Sequence, residues 1–321
     1  MEAFGACIMS SHNRRECSLI RNLPSSLTQI PRKAHNLAGG RVIDKPRRAL
    51  LNLRRRSWSY LLAVSLPVFP LCAQFAFSTK VSPRTVREFD QYAQTVEQQL
   101  SMRWRGQRPF LSIGDLSSER ENVLRGDLVI RPGSPDNPIP ITDGLVHDWF
   151  GAVFIPNTTM QKVIGVLEDF DKHEQIYPEV IKSRLLRRSG NVVTGYWRLQ
   201  RKQQLIPVAF DVEQEAYYRG VGPGKWTCRA YARKISEVDN PGTSREKVLP
   251  PGEGQGFLWR LYAYWTLETV NHGVLAECRT LSLSRSIPAG LGWAIKPFIQ
   301  SMPRESLSST LSNTRSAAAA K

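Results

Sequence analysis

The second half of the chain contains a succession of apolar segments separated by short turn-forming sequences. The segments cover residues 180–188, 192–202, 205–218, 226–238, 257–270 and 274–286. Most of the breaks between them contain Gly, Asn or Pro, which tight turns between antiparallel strands require. We therefore predict that this region forms one curved antiparallel sheet.

The sequence before this series predicts one further strand and two short helices. Residues 145–155 are a strand candidate. Thr158 or Thr159 can then cap the segment 160–170, whose apolar residues recur at helical spacing. A second short helix or turn follows at 173–177. After the last strand, the sequence predicts a helical stretch bent at two prolines; it covers residues 289–316, with the bends at Pro297 and Pro303.

This order of elements resembles the helix-grip fold of the START/Bet v 1-like superfamily. The resemblance covers residues 143–316 and rests also on Phe-Ile-Pro-Asn (154–157), the corner at 171–178 and Ser-Ile-Pro-Ala-Gly-Leu-Gly-Trp (286–293). The chain is also similar to exported bacterial START-like proteins that share Gly-Phe-Leu-Trp-Arg (256–260) and Pro-Arg-Glu-Ser-Leu (303–307). The resemblance implies an α+β fold in which a curved antiparallel sheet of about seven strands wraps on a long C-terminal helix, with two short helices after the first strand.

A strongly curved sheet cannot fill its concave side with its own side chains, so a helix that closes this side leaves a cavity. Such cavities are apolar, with a few polar groups that orient a ligand. We expect the ligand to be a hydrophobic or amphipathic small molecule of the lipid or isoprenoid type. The superfamily also includes polyketide cyclases. The alternative is therefore a cyclase/aromatase-like enzyme that uses cavity acid/base groups, with His147 and His173 as candidates. We favour a binding protein.

Strand 257–270 is apolar on both faces, which indicates that both faces of the sheet are covered. A helix is available for the convex face, because residues 83–105 follow Ser82-Pro83 with apolar residues three and four apart.

A two-residue turn at Asn271-His272 would pair strand 257–270 with strand 274–286 so that partner numbers sum to 543. Charges then alternate with leucines on the second strand. Either these charges pair structurally, or they hold the polar group of a ligand inside the cavity. The residues expected to bind a ligand are Tyr262, Tyr264, Glu277, Arg279 and Leu281.

The five cysteines and five histidines are scattered without ligand spacing, so we expect neither a metal site nor a cofactor. Cys228 and Cys278 lie on predicted strands that a third strand separates. Their Cα atoms should be roughly 9–10 Å apart, too far for a disulfide. We expect two buried, reduced thiols.

The N-terminal region carries an export signal in an unusual place. Three arginines and an apolar run that ends at Ala73 form a signal peptide at 54–73. We predict an exported protein, periplasmic or secreted, or one anchored by this segment if it is not cleaved. The other predicted regions are a disordered or mis-annotated extension (1–53), a helix with a proline-rich linker (74–142), the START-like domain (143–316) and a frayed tail (317–321).

The net charge of +16 is concentrated outside the predicted domain. Residues 1–56 hold 12 Lys or Arg and three acids, a net of +9, which leaves +7 for the rest. We therefore expect no nucleic-acid partner. A peripheral contact with an anionic membrane remains an expectation, because basic residues cluster on one predicted hairpin. They are Arg184, Arg187, Arg188, Arg198, Arg201 and Lys202.

Overall fold

The structure is a computed structural model that describes residues 79–115, 117–201, 208–287 and 292–319, with the backbone alone for 292–300. The predicted extension 1–53 and signal peptide 54–73 lie outside the described residues.

The helices are α1 (Pro83–Trp104), α2 (Ser117–Leu124), α3 (Met160–Glu168), α4 (His173–Ile176) and α5 (Gly292–Ala319). The strands are β1 (Thr79–Lys80), β2 (Val129–Pro132), β3 (Ile139–Ile141), β4 (Gly144–Pro156), β5 (Val180–Ser189), β6 (Val192–Arg201), β7 (Val208–Gly222), β8 (Lys225–Asp239), β9 (Lys247–Val248), β10 (Glu253–Gly254), β11 (Arg260–Val270) and β12 (Gly273–Arg285).

The main sheet is antiparallel and has the strand order β2-β4-β12-β11-β8-β7-β6-β5. Strand β3 pairs with β4 and β9 with β8, while β1 and β10 form a separate pair. This architecture confirms the predicted α+β fold with its two short helices after β4 and its C-terminal helix. The six predicted segments and β4 form the seven long strands.

The segment predicted as a proline-rich linker is more ordered than expected. It contains α2, and both β2 and β3 pair with β4 at the margin of the sheet. Pro132 and Pro140 lie within these short strands. Proline is tolerated there because an edge strand can leave a backbone position without a hydrogen bond. Proline content therefore gave a misleading prediction for this segment.

Helix α5 covers one face of the sheet. Leu307, Leu311 and Ala318 are buried in the same apolar cluster as Val153 of β4 and Trp265 of β11. The helix is continuous across both prolines at which a bend was predicted. A frayed tail was predicted from residue 317, but the helix remains ordered up to Ala319. Ala318 is buried, and its carbonyl accepts a hydrogen bond from Thr158 Oγ1 at 2.7 Å.

Helix α1 covers the opposite face, as predicted. Ser82 caps its N-terminus by accepting a hydrogen bond from the Thr85 backbone N–H at 3.1 Å. Phe89 and Val96 of the helix are buried in one cluster with Tyr264 of β11. The sheet is therefore covered on both faces, which explains why β11 is apolar at successive positions. None of the helices in the described ranges is long and apolar enough to cross a bilayer.

The predicted pairing of β11 with β12 is confirmed. Tyr264 pairs with Arg279, and Val270 pairs with Gly273 across the two-residue turn. Trp265 pairs with Cys278 on one side and with Cys228 on the other, so β11 separates the two cysteines. The predicted strand order is confirmed, and both cysteines are buried and free of a disulfide.

Candidate functional site

A cavity of about 230 Å³ lies between the sheet and α5. Its walls come from the long strands β4 to β8, β11 and β12, from the end of α3, from α4, and from residues 302–310 of α5. The volume is close to the ~300 Å³ at which typical small-molecule sites begin.

Small side chains form the floor of the cavity. Ala216, Ala230, Ala263 and Thr280 are direct neighbours on the adjacent strands β7, β8, β11 and β12. All four line the cavity. Larger side chains at these positions would extend toward α5, so this row leaves the space between sheet and helix open.

The surrounding walls are mainly apolar and aromatic. Trp197, Trp265, Phe210 and Phe257 line the cavity from the sheet and the segment before β11, and Leu307 faces them from α5. A space of this composition favours an apolar ligand, because burying apolar surface gains about 25 cal/mol per Å².

Gln214 is a polar exception within this wall. Its side chain is 5% exposed and lines the cavity, and its amide makes no hydrogen bond to any residue in the described ranges. The pairing shifts at this position because β8 has an extra residue, Arg233, between Lys234, which pairs with Glu213, and Ala232, which pairs with Gln214. The amide atoms of Gln214 are not among the fully buried unpaired atoms of the described residues, so a ligand in the cavity can reach them. Gln214 is therefore the residue best placed to bind a ligand's polar group.

Two buried histidines also line the cavity, and both already make hydrogen bonds within the protein. Burial lowers the pKa of His147 to about 4, and its Nε2 lies 2.9 Å from Ser284 Oγ. Burial likewise lowers the pKa of His173 to about 4. Trp197 Nε1 can only donate, so His173 Nδ1 accepts its hydrogen bond at 2.8 Å. His173 Nε2 then donates to the Val166 carbonyl at 3.0 Å.

An ionic network closes one end of the cavity. Arg201 donates to Glu305 at 2.9 Å and lies 3.5 Å from Glu179. Ser309 Oγ donates to the other oxygen of Glu179 at 3.0 Å. These bonds tie the residue before β5 and the end of β6 to α5, and Arg201 and Glu179 are the two acidic or basic residues in the cavity lining within the described ranges, apart from the histidines.

The five residues predicted to bind the ligand lie on the opposite face of the sheet, so their expected location in the cavity is corrected. Side chains alternate between faces along a strand. Leu261, Ala263 and Trp265 of β11 face the cavity, so the residues between them face α1. The sequence-based pairing was right, but the face assigned to the cavity was not.

On that face the predicted residues have structural partners. Tyr262 donates to Asp90 at 3.3 Å, Tyr264 to Glu97 at 2.9 Å, and Leu281 packs in the α1 cluster. Glu277 accepts hydrogen bonds from the backbone N–H groups of Ser112 at 2.8 Å and Ile113 at 2.7 Å. Arg279 forms an ion pair with Asp148. The structural-pairing alternative matches these contacts.

Sequence reasoning missed Gln214 and the alanine row. The alanines leave a signal in the sequence, because small residues at Ala216, Ala230 and Ala263 become neighbours once the strands are paired. Gln214 leaves a signal too, because it is a polar residue among the apolar even-numbered positions of β7, while the charged residues of the strand's first part lie at odd-numbered positions. In the described ranges no group of three or more His, Cys, Asp or Glu could hold a metal ion.

No family model matches the chain, and no curated protein matches it. Among solved structures it is similar to a STAR-related lipid transfer protein of Xanthomonas axonopodis, with 22% identity over 56% of this chain and 94% of that chain and a TM-score of 0.39. It is also similar to human STARD10 (12% identity, 65% and 80% covered, TM-score 0.35) and to the aromatase/cyclase Zhui of Streptomyces sp. R1128 (11%, 54% and 89%, 0.32).

The order of the long strands, the two short helices after β4 and the helix α5 packed on the sheet form the helix-grip arrangement expected from the sequence. The cavity lies where the sequence analysis expects it, between the sheet and the C-terminal helix.

Proposed function

We propose that this protein binds a hydrophobic or amphipathic small molecule, of lipid or isoprenoid type, in the cavity between the sheet and α5. The observation that carries this proposal is the unpaired amide of Gln214 in an otherwise mainly apolar wall. The ligand's chain lies along the alanine row, and an uncharged hydroxyl or carbonyl group hydrogen-bonds with Gln214. An uncharged group fits this position because a lone buried charge would be costly.

The state of the two cavity histidines favours binding over catalysis. A general acid or base works best with a pKa near the working pH, whereas burial holds the pKa of both His147 and His173 at about 4. Both ring nitrogens of His173 are already hydrogen-bonded. We therefore propose a carrier in preference to a cyclase. We further propose that it is exported, on the strength of the signal-like sequence at 54–73.

Ligand competition tests the role of Gln214. The probe is the uncharged methyl ester of cis-parinaric acid, called parinaric acid below, whose fluorescence is excited by energy transfer from Trp197 and Trp265 in the cavity wall. The competitors are 1-decanol and decane, which differ by one hydroxyl group. In Gln214→Leu, the ratio of the decanol Kd to the decane Kd should rise about three- to tenfold over wild type, the value of one hydrogen bond.

Gln94→Leu is the matched control, because Gln94 is exposed on α1. It should leave the ratio unchanged. An unchanged ratio in Gln214→Leu contradicts the assigned contact, and failure of wild type to bind any of the three molecules contradicts the cavity as a ligand site. Native mass spectrometry of protein from the original host should find one bound molecule per chain.

A further inference from the structure

Strand β5 combines exposed apolar side chains with an exposed edge of the main sheet. Within the described residues four large hydrophobic side chains are classed as exposed, and three of them are on β5. They are Ile181 (42% exposed), Leu185 (36%) and Leu186 (41%). Apolar residues clustered in this way mark an interaction surface more often than scattered ones do.

Two of these three side chains lie at β-bulges. The pairing with β6 skips Ile181, between Val180 and Lys182, and skips Leu186, between Leu185 and Arg187. Bulges interrupt the regular hydrogen-bonding edge that another strand would need. The strand is therefore poorly suited to pair with a strand of a protein partner, yet its bulges present apolar side chains outward.

The same strand carries an excess of positive charge. It contains four basic residues and no acidic one: Lys182, Arg184, Arg187 and Arg188. Arg188 pairs with Glu168 at 2.7 Å. The other three form no ion pair with any carboxylate in the described ranges, and Arg184 lies over the ring of Tyr196.

The carboxylates near β5 already have partners. Asp211 accepts hydrogen bonds from Arg198 and Tyr196, and Glu215 accepts one from Arg233 at 2.9 Å. Asp171 accepts a hydrogen bond from the Leu185 N–H at 2.8 Å. Asp169, two residues before Asp171, accepts a hydrogen bond from Lys172 Nζ at 2.6 Å. Lys182 and Arg187 interact electrostatically with Asp211 and Glu215 from beyond ion-pair distance. Within the described ranges none of Lys182, Arg184 and Arg187 is in direct contact with a carboxylate, so all three can contact an external anionic partner.

We propose that β5 docks this protein on an anionic lipid bilayer. Ile181, Leu185 and Leu186 enter the interface between headgroups and acyl chains, while Lys182, Arg184 and Arg187 contact lipid phosphates. The combination of apolar and basic side chains is what an anionic membrane surface attracts. Val180, the first residue of this strand, lines the cavity, so the docked surface adjoins the proposed ligand site.

Vesicle sedimentation tests this proposal, with phosphatidylcholine vesicles and vesicles containing one quarter phosphatidylglycerol. Wild type should bind the anionic vesicles at least tenfold more tightly, and salt should weaken the binding. The double variant Ile181→Ser/Leu186→Ser and the triple variant Lys182→Gln/Arg184→Gln/Arg187→Gln should each lose at least tenfold. All these side chains are exposed, so melting temperatures should stay the same.

Two matched controls separate this strand from general surface effects. Val248→Ser removes the fourth exposed large hydrophobic side chain, on β9. Arg87→Gln/Arg105→Gln/Arg245→Gln removes the same net charge from exposed positions elsewhere. Both controls should bind anionic vesicles as wild type does. The proposal would be overturned if the controls lost as much vesicle affinity as the β5 variants, or if wild type bound no vesicles. Self-association through β5 in place of vesicle binding would also overturn it. Parinaric acid binding is measured in parallel, because the β5 variants should retain it even if docking fails.

Discussion

Arg279 holds the carboxylate of Asp148 with two hydrogen bonds, from Nε to Oδ1 at 2.9 Å and from Nη2 to Oδ2 at 2.6 Å. The Asp148 side chain is completely buried, and it also accepts a hydrogen bond from Tyr92 at 2.6 Å. The pair joins β12, β4 and α1 on the face away from the cavity. Arg279 therefore stabilises the fold and does not contact the proposed ligand.

Replacing Arg279 with leucine should destabilise the protein by about 3–5 kcal/mol, because Asp148 would remain as an uncompensated buried charge. Urea denaturation at neutral pH measures this loss. The folded variant should bind parinaric acid with wild-type affinity. Asp148→Leu/Arg279→Leu, which removes both charges, should recover much of the lost stability. A stable Arg279→Leu variant that binds parinaric acid more weakly would show that Arg279 belongs to the ligand site.

Gly195 of β6 lies directly under the ring of Phe170. A β-carbon at position 195 would overlap Cδ1 of Phe170, and Phe170 is buried beside Trp197 in the cavity wall. Gly195→Ala should destabilise the protein by about 1–3 kcal/mol, the usual cost of overpacking.

A double-mutant cycle checks this contact. In the background of Phe170→Ala, the added methyl group at position 195 should cost much less, because the ring no longer occupies its space. Thermal or urea unfolding of the four proteins supplies the data. Equal costs of Gly195→Ala in both backgrounds would mean that the ring does not restrict this position.

The pairing of β11 with β12 was predictable because the turn at Asn271-His272 fixes which residues face each other. The face that meets α5 was not predictable. Ala263 and Trp265 on one face and Tyr262 and Tyr264 on the other are equally apolar, and both faces are in fact buried. Only the positions of α1 and α5 decide which face lines the cavity. Local sequence does not encode those positions.

Glu277 makes stability depend on pH. Burial raises its pKa from 4.5 to about 7, although the Ser112 and Ile113 N–H groups oppose the shift. The folded protein therefore binds this proton more tightly than the unfolded chain does. Its stabilising contribution is complete below about pH 4.5 and is lost as the pH rises to 7.

Glu277→Gln does not titrate, so its stability relative to wild type should rise between pH 4.5 and 7. The rise should be about 1.4 kcal/mol per unit of pKa difference. His147 contributes in the opposite direction, because burial lowers its pKa from 6.5 to about 4, but it affects both proteins equally. Urea denaturation at pH 4.5, 6 and 7.5 measures the difference. A constant difference would show that Glu277 has an ordinary pKa.

Cys228 and Cys278 should react slowly with alkylating reagents in the folded protein. Burial raises the pKa of the Cys228 thiol to about 12 and that of Cys278 well above its usual value, and the thiolate is the reactive form. Iodoacetamide should modify both cysteines only after the protein has been unfolded in urea, with no reductant added. Peptide mass spectrometry follows the labelling of each cysteine separately. A peptide pair linked by a disulfide between them would contradict the strand order around β11.

The affinity of parinaric acid for Ala263→Phe tests whether the ligand lies in the cavity along the alanine row. Ala263 is the β11 member of the alanine row on the cavity floor, and a phenyl ring there would fill the space that the ligand occupies. Val248→Phe, at the exposed position on β9, is the matched control. Ala263→Phe should stay folded and lose parinaric acid binding at least tenfold, while the control should bind as wild type does. Wild-type affinity in a folded Ala263→Phe variant would show that the ligand binds elsewhere.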